Sequence, residues 1–245
     1  MVRKALLLLS GNATTSLLTL ARNLLIARLV SVEDFGIAST LALAVSIVEM
    51  ASTLGLQQQI VQARDGDDPH LQAALQGFQL LRGILSGATL LVLAGPLADF
   101  MNVPEAAWGY RAMALLPVLN ALQHFDAARL SREMRFGPLI LLEMVPATIA
   151  LAATWPMVRW LGDWRAMMGV IMLSAALSVV MSHLVAQRPY RIVFDRSQMS
   201  RSLSFGWPLL INNVLLFLVF RGFVAAAAAL LVAAVAVAGA LLILL

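Results

Sequence analysis

Residues 166–186 have the sequence AMMGVIMLSAALSVVMSHLVA, a run of 21 residues without aspartate, glutamate, lysine or arginine. As an α-helix this segment is about 30 Å long, which matches the hydrocarbon core of a bilayer. The same kind of apolar segment recurs along the chain, at 5–30, 35–57, 79–98, 108–125, 138–161 and from 206 onward. The sequence therefore predicts an all-α, polytopic membrane helix bundle with about seven or eight transmembrane helices.

The composition favours lipid over water as the solvent of this chain. Of the 245 residues, 61% are hydrophobic and 12% are charged, whereas soluble domains contain about 25% charged residues. The net charge of +4 does not indicate a nucleic-acid partner, because membrane proteins concentrate arginines in short loops for another reason. The chain has no cysteine, so it forms neither a disulfide nor a thiolate metal site.

The loop charges predict the orientation. Arg3 and Lys4 precede a short apolar run with no small-residue cleavage site after it, so we expect a retained first helix. An N-terminus in the cytoplasm puts ten basic residues on the cytoplasmic side: Arg3, Lys4, Arg64, Arg129, Arg132, Arg135, Arg188, Arg191, Arg196 and Arg201. Five then lie on the other side: Arg28, Arg111, Arg159, Arg165 and Arg221. This bias predicts that the N-terminus is cytoplasmic.

Polar residues of the first predicted helix fall on one side. At 100° per residue, a stripe about 120° wide contains Asn12, Thr15, Ser16, Arg22 and Asn23. An arginine at membrane depth is costly and therefore a functional candidate. Two hypotheses account for the stripe. It lines a water-filled cavity, or its arginine is paired structurally with a carboxylate on another helix.

Other helices carry further candidates. Glu49 on the second helix is either the partner of Arg22 or a protonatable group that couples transport to an ion. Glu143 lies near the predicted cytoplasmic end of the fifth helix, where it reaches the headgroups. Asn212 and Asn213 follow Pro208 in the seventh helix, and a proline there frees a backbone carbonyl at mid-depth.

Motifs for catalysis are absent from the sequence. The acidic stretch at 65–68 is typical of a solvated loop, and His70, His124 and His183 lack the spacing of metal ligands. There is no glycine-rich phosphate loop and no nucleophile motif. The sequence therefore predicts a protein that is not an enzyme, and it implies no cofactor.

Four stretches carry a family resemblance. Residues 27–36, ARLVSVEDFG, resemble the pattern ARLLSPEDFG with Val32 in place of proline. The others are LGLQ at 54–57, LSREMRF at 130–136 and FGWPL at 205–209. In this order and spacing, they resemble the polysaccharide (oligosaccharide) flippase family of the multidrug/oligosaccharidyl-lipid/polysaccharide exporter superfamily.

The resemblance implies a fold and a function. Family members have two six-helix lobes around a central cavity and move polyprenyl-pyrophosphate-linked oligosaccharides across the bacterial inner membrane, from the cytoplasmic to the periplasmic leaflet. The implied cavity residues are Arg22, Asn23, Asn12, Ser16, Asn212 and Asn213, and arginines of the first helix have this role in the related lipid II flippases. The implied partners are a lipid-linked oligosaccharide, membrane lipid and other membrane proteins of polysaccharide assembly.

The predicted domain organisation has three parts. Residues 1–203 form a six-helix lobe, 204–220 the first helix of a second lobe, and 221–245 a low-complexity hydrophobic segment. That last segment is either an eighth helix or the aberrant end of a truncated gene product, so the chain is expected to be a flippase fragment that is inactive alone or active as an oligomer.

Three other functions stay open at this point. A multidrug cation exporter of the same superfamily would need a buried acidic cluster. A membrane-embedded glycan-processing enzyme would need a large outer loop or a catalytic histidine and aspartate cluster. An inactive membrane subunit would need neither.

Overall fold

The computed structural model of the chain describes residues 2–212 and 215, with side chains from Ser10 onward. Helices and connecting segments make up this part of the chain, and it contains no strand. The helices are α1 Val2–Leu29, α2 Val32–Ser52, α3 Leu56–Gln62, α4 Pro69–Phe100, α5 Ala107–Met113, α6 Leu115–Ala121, α7 Asp126–Arg132, α8 Phe136–Leu161, α9 Arg165–Val185 and α10 196–212.

Four of the described helices are long and apolar enough to cross a membrane by length and composition, namely α2, α4, α8 and α9. Large apolar side chains project from their outer surfaces, such as Val92, which is 77% exposed, and Trp160, which is 82% exposed. Such surfaces are stable in lipid and costly in water. The predicted all-α, polytopic membrane bundle is confirmed.

Loops gather the polar residues at the two ends of the bundle. We call the end formed by segments 53–68, 122–135 and 186–195 the arginine-rich end. At the opposite end, the Asp34 carboxylate accepts a hydrogen bond of 3.1 Å from the backbone N–H of Trp164. The hydroxyl of Ser31 accepts one of 3.0 Å from the backbone N–H of Asp34. Ser31 therefore begins α2 with a side-chain cap.

The second predicted helix, 35–57, ends earlier than the sequence indicated. α2 stops at Ser52, and α3 starts as a separate short helix at Leu56. Gly55 between them has a φ of 63°, a left-handed conformation that glycine adopts without steric cost. Gly206 of α10 packs directly on Leu54, so the turn is also the place where α10 docks.

The third predicted helix, 79–98, is ten residues longer at its start. α4 begins at Pro69, and Asp68 caps it by accepting a 2.9 Å hydrogen bond from the backbone N–H of His70. The added turns contain Gln72 and Gln76, which are buried by the loops of the arginine-rich end. Glutamines interrupt an apolar run, and for this reason hydropathy alone placed the start too late.

The fourth predicted helix, 108–125, is broken. α5 and α6 meet at Ala114, and α6 ends at Ala121. Pro117 has no N–H to donate to the carbonyl of Met113, and its ring crowds that carbonyl, so the helix is interrupted one turn before the proline. The prediction of one continuous helix over 108–125 was therefore wrong.

The last described helix also begins earlier than predicted. α10 starts at 196 instead of 206, because Asp195 accepts hydrogen bonds from the backbone N–H groups of Ser197 (2.9 Å) and Gln198 (3.3 Å). The predicted boundary between lobes, at 203/204, therefore lies inside this helix. The division into lobes stays a prediction, because residues 213, 214 and 216–220 of the second part and all of 221–245 lie outside the described residues.

Two glycines allow α4 to approach the broken helix closely. Gly83 and Gly87 face α5 and α6, and a Cβ atom at Gly87 would lie 2.7 Å from the carbonyl oxygen of Ala114. Small residues spaced four apart are the usual means by which membrane helices pack at short range. The broken span and α4 therefore form one tightly packed unit.

We expect Gly87→Ala to destabilise the protein by about 1–3 kcal/mol, because the added methyl group overpacks this contact. Gly95→Ala on the same helix is the matched control, since nothing lies within 4 Å of a Cβ atom there. The measurement is the thermal unfolding of the two variants in detergent. Equal melting temperatures for both would contradict the proposed close contact.

Candidate functional site

The polar stripe of α1 faces an open cleft. α1, α8 and α9 form one side of it, and α3 with the segment after α6 forms the other. Three neighbouring cavities of about 580, 340 and 350 Å³ share lining residues along this cleft. Their α1 lining consists of Asn12, Thr15, Ser16, Thr19, Leu20, Arg22 and Asn23.

The cleft brings together four of the predicted site residues. Asn12, Ser16 and Asn23 line the largest cavity, and Arg22 lines its neighbour. Thr19 lines both and was missed in the sequence analysis, although it follows Thr15 and Ser16 by one helical turn. The same spacing argument would have found it.

Arg22 forms no ion pair within the described part of the chain. Its guanidinium group donates to the side-chain oxygen of Asn23, with Nε at 3.3 Å and a terminal nitrogen at 3.2 Å. Glu49 is engaged elsewhere, since its carboxylate accepts a 2.7 Å hydrogen bond from the amide of Asn120. The structure does not contain the Arg22–Glu49 pair considered as an alternative, and the arginine faces the cleft.

Glu49 belongs to a second polar group that lies between α2, α4 and α6. Arg82, on α4, donates to the hydroxyl of Ser52 at 2.8 Å and to the side-chain oxygen of Gln79 at 3.1 Å. Its positive charge is close enough to interact with the Glu49 carboxylate. Sequence reasoning overlooked Arg82 as an intramembrane charge, because its segment is otherwise a regular apolar helix.

Glu143, on α8, lines all three cavities. Glu143 therefore borders the cleft, and its predicted contact with the headgroups stays a prediction. Gln57 and Leu142 lie beside it in two of the cavities. No hydrogen bond or ion pair joins Glu143 to another described residue.

Of the two asparagines of the seventh predicted helix, the structure describes only Asn212. Asn212 is exposed on α10 and is not among the lining residues of the three cavities. Asn213 lies outside the described residues. Their predicted place in the cavity stays a prediction.

A buried cluster of polar groups closes the arginine-rich end, and no sequence pattern predicted it. Asp126 is fully buried and accepts hydrogen bonds from the Arg129 guanidinium (2.6 Å) and from the backbone N–H of Gln187 (2.7 Å). Burial by itself would raise the pKa of Asp126, but these hydrogen bonds outweigh it and hold the pKa below its usual value. The carboxylate thereby ties segment 186–195 to α7.

Arg132, the first arginine of the LSREMRF stretch, holds two helices together. The Arg132 guanidinium donates to the carbonyl oxygens of Ile60 (3.3 Å), Val61 (3.1 Å) and Ala63, which are the open carbonyl groups at the end of α3. Arg132 therefore fixes α3, which forms part of the cleft wall, relative to α7.

Each carboxylate of the acidic stretch at 65–68 has a partner or a capping role. Asp65 pairs with Arg201 at 2.6 Å, Asp67 pairs with Arg132 at 3.3 Å, and Asp68 caps α4. Within the described residues, no three histidine, aspartate or glutamate side chains lie close enough to hold a metal ion. These carboxylates hold loops together.

His124 adds a titratable group to the buried cluster. Its Nδ1 accepts a 3.0 Å hydrogen bond from the backbone N–H of Asp126, so the proton of the neutral ring is on Nε2, which donates to the carbonyl oxygen of Arg188 at 3.0 Å. Burial lowers the pKa of His124, and the Asp126 carboxylate offsets only part of this effect. The ring is neutral in the folded protein near pH 7.

Fold and site together define a multi-pass α-helical membrane protein whose cleft exposes one arginine among amide and hydroxyl groups. A comparison with protein families identifies its lineage. The model of the family described as polysaccharide biosynthesis protein matches residues 25–238. The chain belongs to this family, and the family resemblance predicted from the four motifs is confirmed. No curated protein and no solved structure matches the chain.

We expect the thermal stability to fall as the pH is lowered from 7.5 to 5.5. The pKa of His124 is lower in the folded protein than in the unfolded chain. The contribution of this ring to the free energy of unfolding is therefore complete above the unfolded pKa of about 6.5, and it is lost as the pH falls towards the pKa of the folded protein. In His124→Asn the amide oxygen still accepts from Asp126 but does not titrate, so the fall should be smaller by a few degrees.

His70→Asn provides the control, because it also removes a histidine, but one whose side chain is 55% exposed and lies outside the buried cluster. The measurement is the melting temperature in detergent at several pH values. An unchanged pH profile in His124→Asn would show that this ring does not carry the effect.

Proposed function

We propose that the protein moves a polyprenyl-pyrophosphate-linked oligosaccharide from the cytoplasmic to the periplasmic leaflet of the bacterial inner membrane, by alternating access. Membership of the polysaccharide biosynthesis protein family supports a role in polysaccharide biosynthesis. The observation that carries the more specific proposal is Arg22, a cation that faces an open cleft and has no carboxylate partner among the described residues.

The chemistry of the cleft suits the head of such a lipid. A planar guanidinium group binds phosphate oxygens through paired hydrogen bonds. The neighbouring side chains of Asn12, Ser16 and Asn23 offer donors and acceptors for sugar hydroxyls. A bound diphosphate would also neutralise the charge of Arg22, which offsets part of the cost of holding an arginine within a membrane.

The outer face of α1 suits the tail. Leu17 and Leu24 are 64% and 56% exposed, are not among the lining residues of the cleft, and lie on the same helix as the polar stripe. A polyprenyl chain can therefore stay in lipid beside α1 while the polar head occupies the cleft. Transport of this kind needs binding and release without a covalent step, and we propose a transporter that is not an enzyme.

The main alternative is a multidrug cation exporter of the same superfamily. Glu143 is the observation that favours it, since a cationic drug would seek a carboxylate. A single carboxylate shares the cleft with Arg22, whose charge repels cations, so an anionic head group fits better. Other membrane proteins of polysaccharide assembly remain proposed partners.

We expect Arg22→Ala, introduced into the chromosomal gene, to abolish transport with normal membrane insertion, because the diphosphate loses its cationic ligand. Arg22→Lys should retain only part of the activity, since a lysine lacks the planar fork. The measurement is the amount of polyprenyl-pyrophosphate-linked glycan on each side of the inner membrane after lipid extraction.

Arg28→Ala serves as the matched control, because Arg28 lies near the end of the same helix and is not among the lining residues of the cleft. It should transport normally. Normal outer-leaflet glycan in Arg22→Ala would refute the phosphate-binding role. A glycan pool unchanged by deletion of the whole gene would refute the flippase proposal itself.

Reporter fusions test the orientation. The excess of basic residues at the arginine-rich end leads us to expect cytoplasmic reporters at Asp67 and Arg196 and a periplasmic one at Val103. The measurement is the activity of an enzyme reporter that works on one side only. The reverse pattern would refute a cytoplasmic N-terminus.

A further inference from the structure

The carboxylate of Glu143 borders the same cleft as the Arg22 guanidinium. Glu143 lines each of the three cavities. Among the described residues that line them, Arg22 is the only basic one and Glu143 the only acidic one. One guanidinium and one carboxylate therefore set the electrostatics of an otherwise neutral polar surface.

The two charges are separated along the helix axis. α1 and α8 both start at the arginine-rich end and pack side by side, with Gly11 against Ile140. Arg22 is eleven residues beyond this contact and Glu143 is three, so their axial separation is about 12 Å at 1.5 Å per residue. The structure accordingly records no ion pair between them.

Neutral hydrogen-bonding side chains fill the space between the two charges. Thr15 and Thr19 of α1, Gln57 of α3 and Ser178 of α9 line this part of the cleft. If a diphosphate binds Arg22, the sugars attached to it extend over this surface towards Glu143. The carboxylate then faces the sugars next to the diphosphate.

An ion pair or hydrogen bond to another described side chain does not account for the carboxylate of Glu143 at this position in α8. Glu49, the other acidic residue inside the bundle discussed above, is held by Asn120 and lies near Arg82. Glu143 has no such partner among the described residues, although it is eight residues into a membrane-spanning helix. An unpaired carboxylate there is costly unless it meets water or a ligand.

We propose that Glu143 determines which glycans the protein accepts: the sugars next to the diphosphate are neutral or carry an amino group, and acidic sugars are rejected. This inference rests on the proposed function. A carboxylate accepts hydrogen bonds from sugar hydroxyls and attracts an ammonium group. It repels the carboxylate of a uronic acid, and the repulsion is stronger in a partly dry cleft than in water.

The test compares the binding of two lipids to the purified protein in lipid nanodiscs. Both are polyprenyl diphosphates that carry a disaccharide, one of neutral N-acetylhexosamines and the other of hexuronic acids. The wild type should bind the neutral lipid about tenfold more tightly, a factor that corresponds to about 1.4 kcal/mol. Glu143→Gln should bind the two lipids with equal affinity, and Glu143→Asp should keep the preference.

Two further variants separate the possible failures. Glu105→Gln removes an exposed carboxylate at the opposite end of the bundle and should leave the preference unchanged. Arg22→Ala should weaken the binding of both lipids. If it weakens both and Glu143→Gln keeps the full preference, the role of Glu143 is refuted and the proposed function stands. If Arg22→Ala weakens neither, its phosphate-binding role is refuted, and if the wild type binds neither lipid, the proposed function itself fails.

Discussion

Hydrocarbon does not solvate charge, and this constraint orders the whole structure. A charged side chain inside the bundle must have a partner or face a polar space. Arg82 and Glu49 meet the first condition, because Ser52, Gln79 and Asn120 hold them between packed helices. Arg22 and Glu143 meet the second, because both line the open cleft. The first pair contributes to the scaffold, and the second pair is available to a ligand.

The stretches that reveal the family have mainly structural tasks in this protein. Arg132 caps α3, Ser31 caps α2, and Gly55 makes the turn on which α10 docks. None of these groups supplies a charge to the cleft. Family membership is therefore evident from the residues that build the loops and turns, whereas the two charges to which we attribute substrate binding and preference, Arg22 and Glu143, lie on α1 and α8 outside those stretches.

Prediction from sequence succeeded where a pattern is local. The α1 stripe follows from helical periodicity, and in the structure Asn12, Ser16, Arg22 and Asn23 line neighbouring cavities of one cleft. Their role in substrate binding stays a prediction. Prediction failed where distant segments meet. The Asp126 cluster joins α7 to a loop about sixty residues later in the chain. The break between α5 and α6 comes from Pro117, which lies within a long apolar run. Hydropathy does not detect either feature.

The sequence by itself determined that this chain is a helical membrane protein, which family it belongs to, and which face of α1 is polar. These properties depend on composition and on the 3.6-residue period of a helix, and both can be seen within single segments. Only the tertiary structure decided which charges are paired. From the sequence, Glu49 could have been the partner of Arg22. In the structure, α2 packs against α4 and α6, so the Glu49 carboxylate accepts a hydrogen bond from Asn120 and Arg22 faces the cleft. The parallel packing of α1 and α8 also brings Glu143 to the same cleft. The sequence could not show this, because the neighbours of a side chain depend on where the adjacent helix lies.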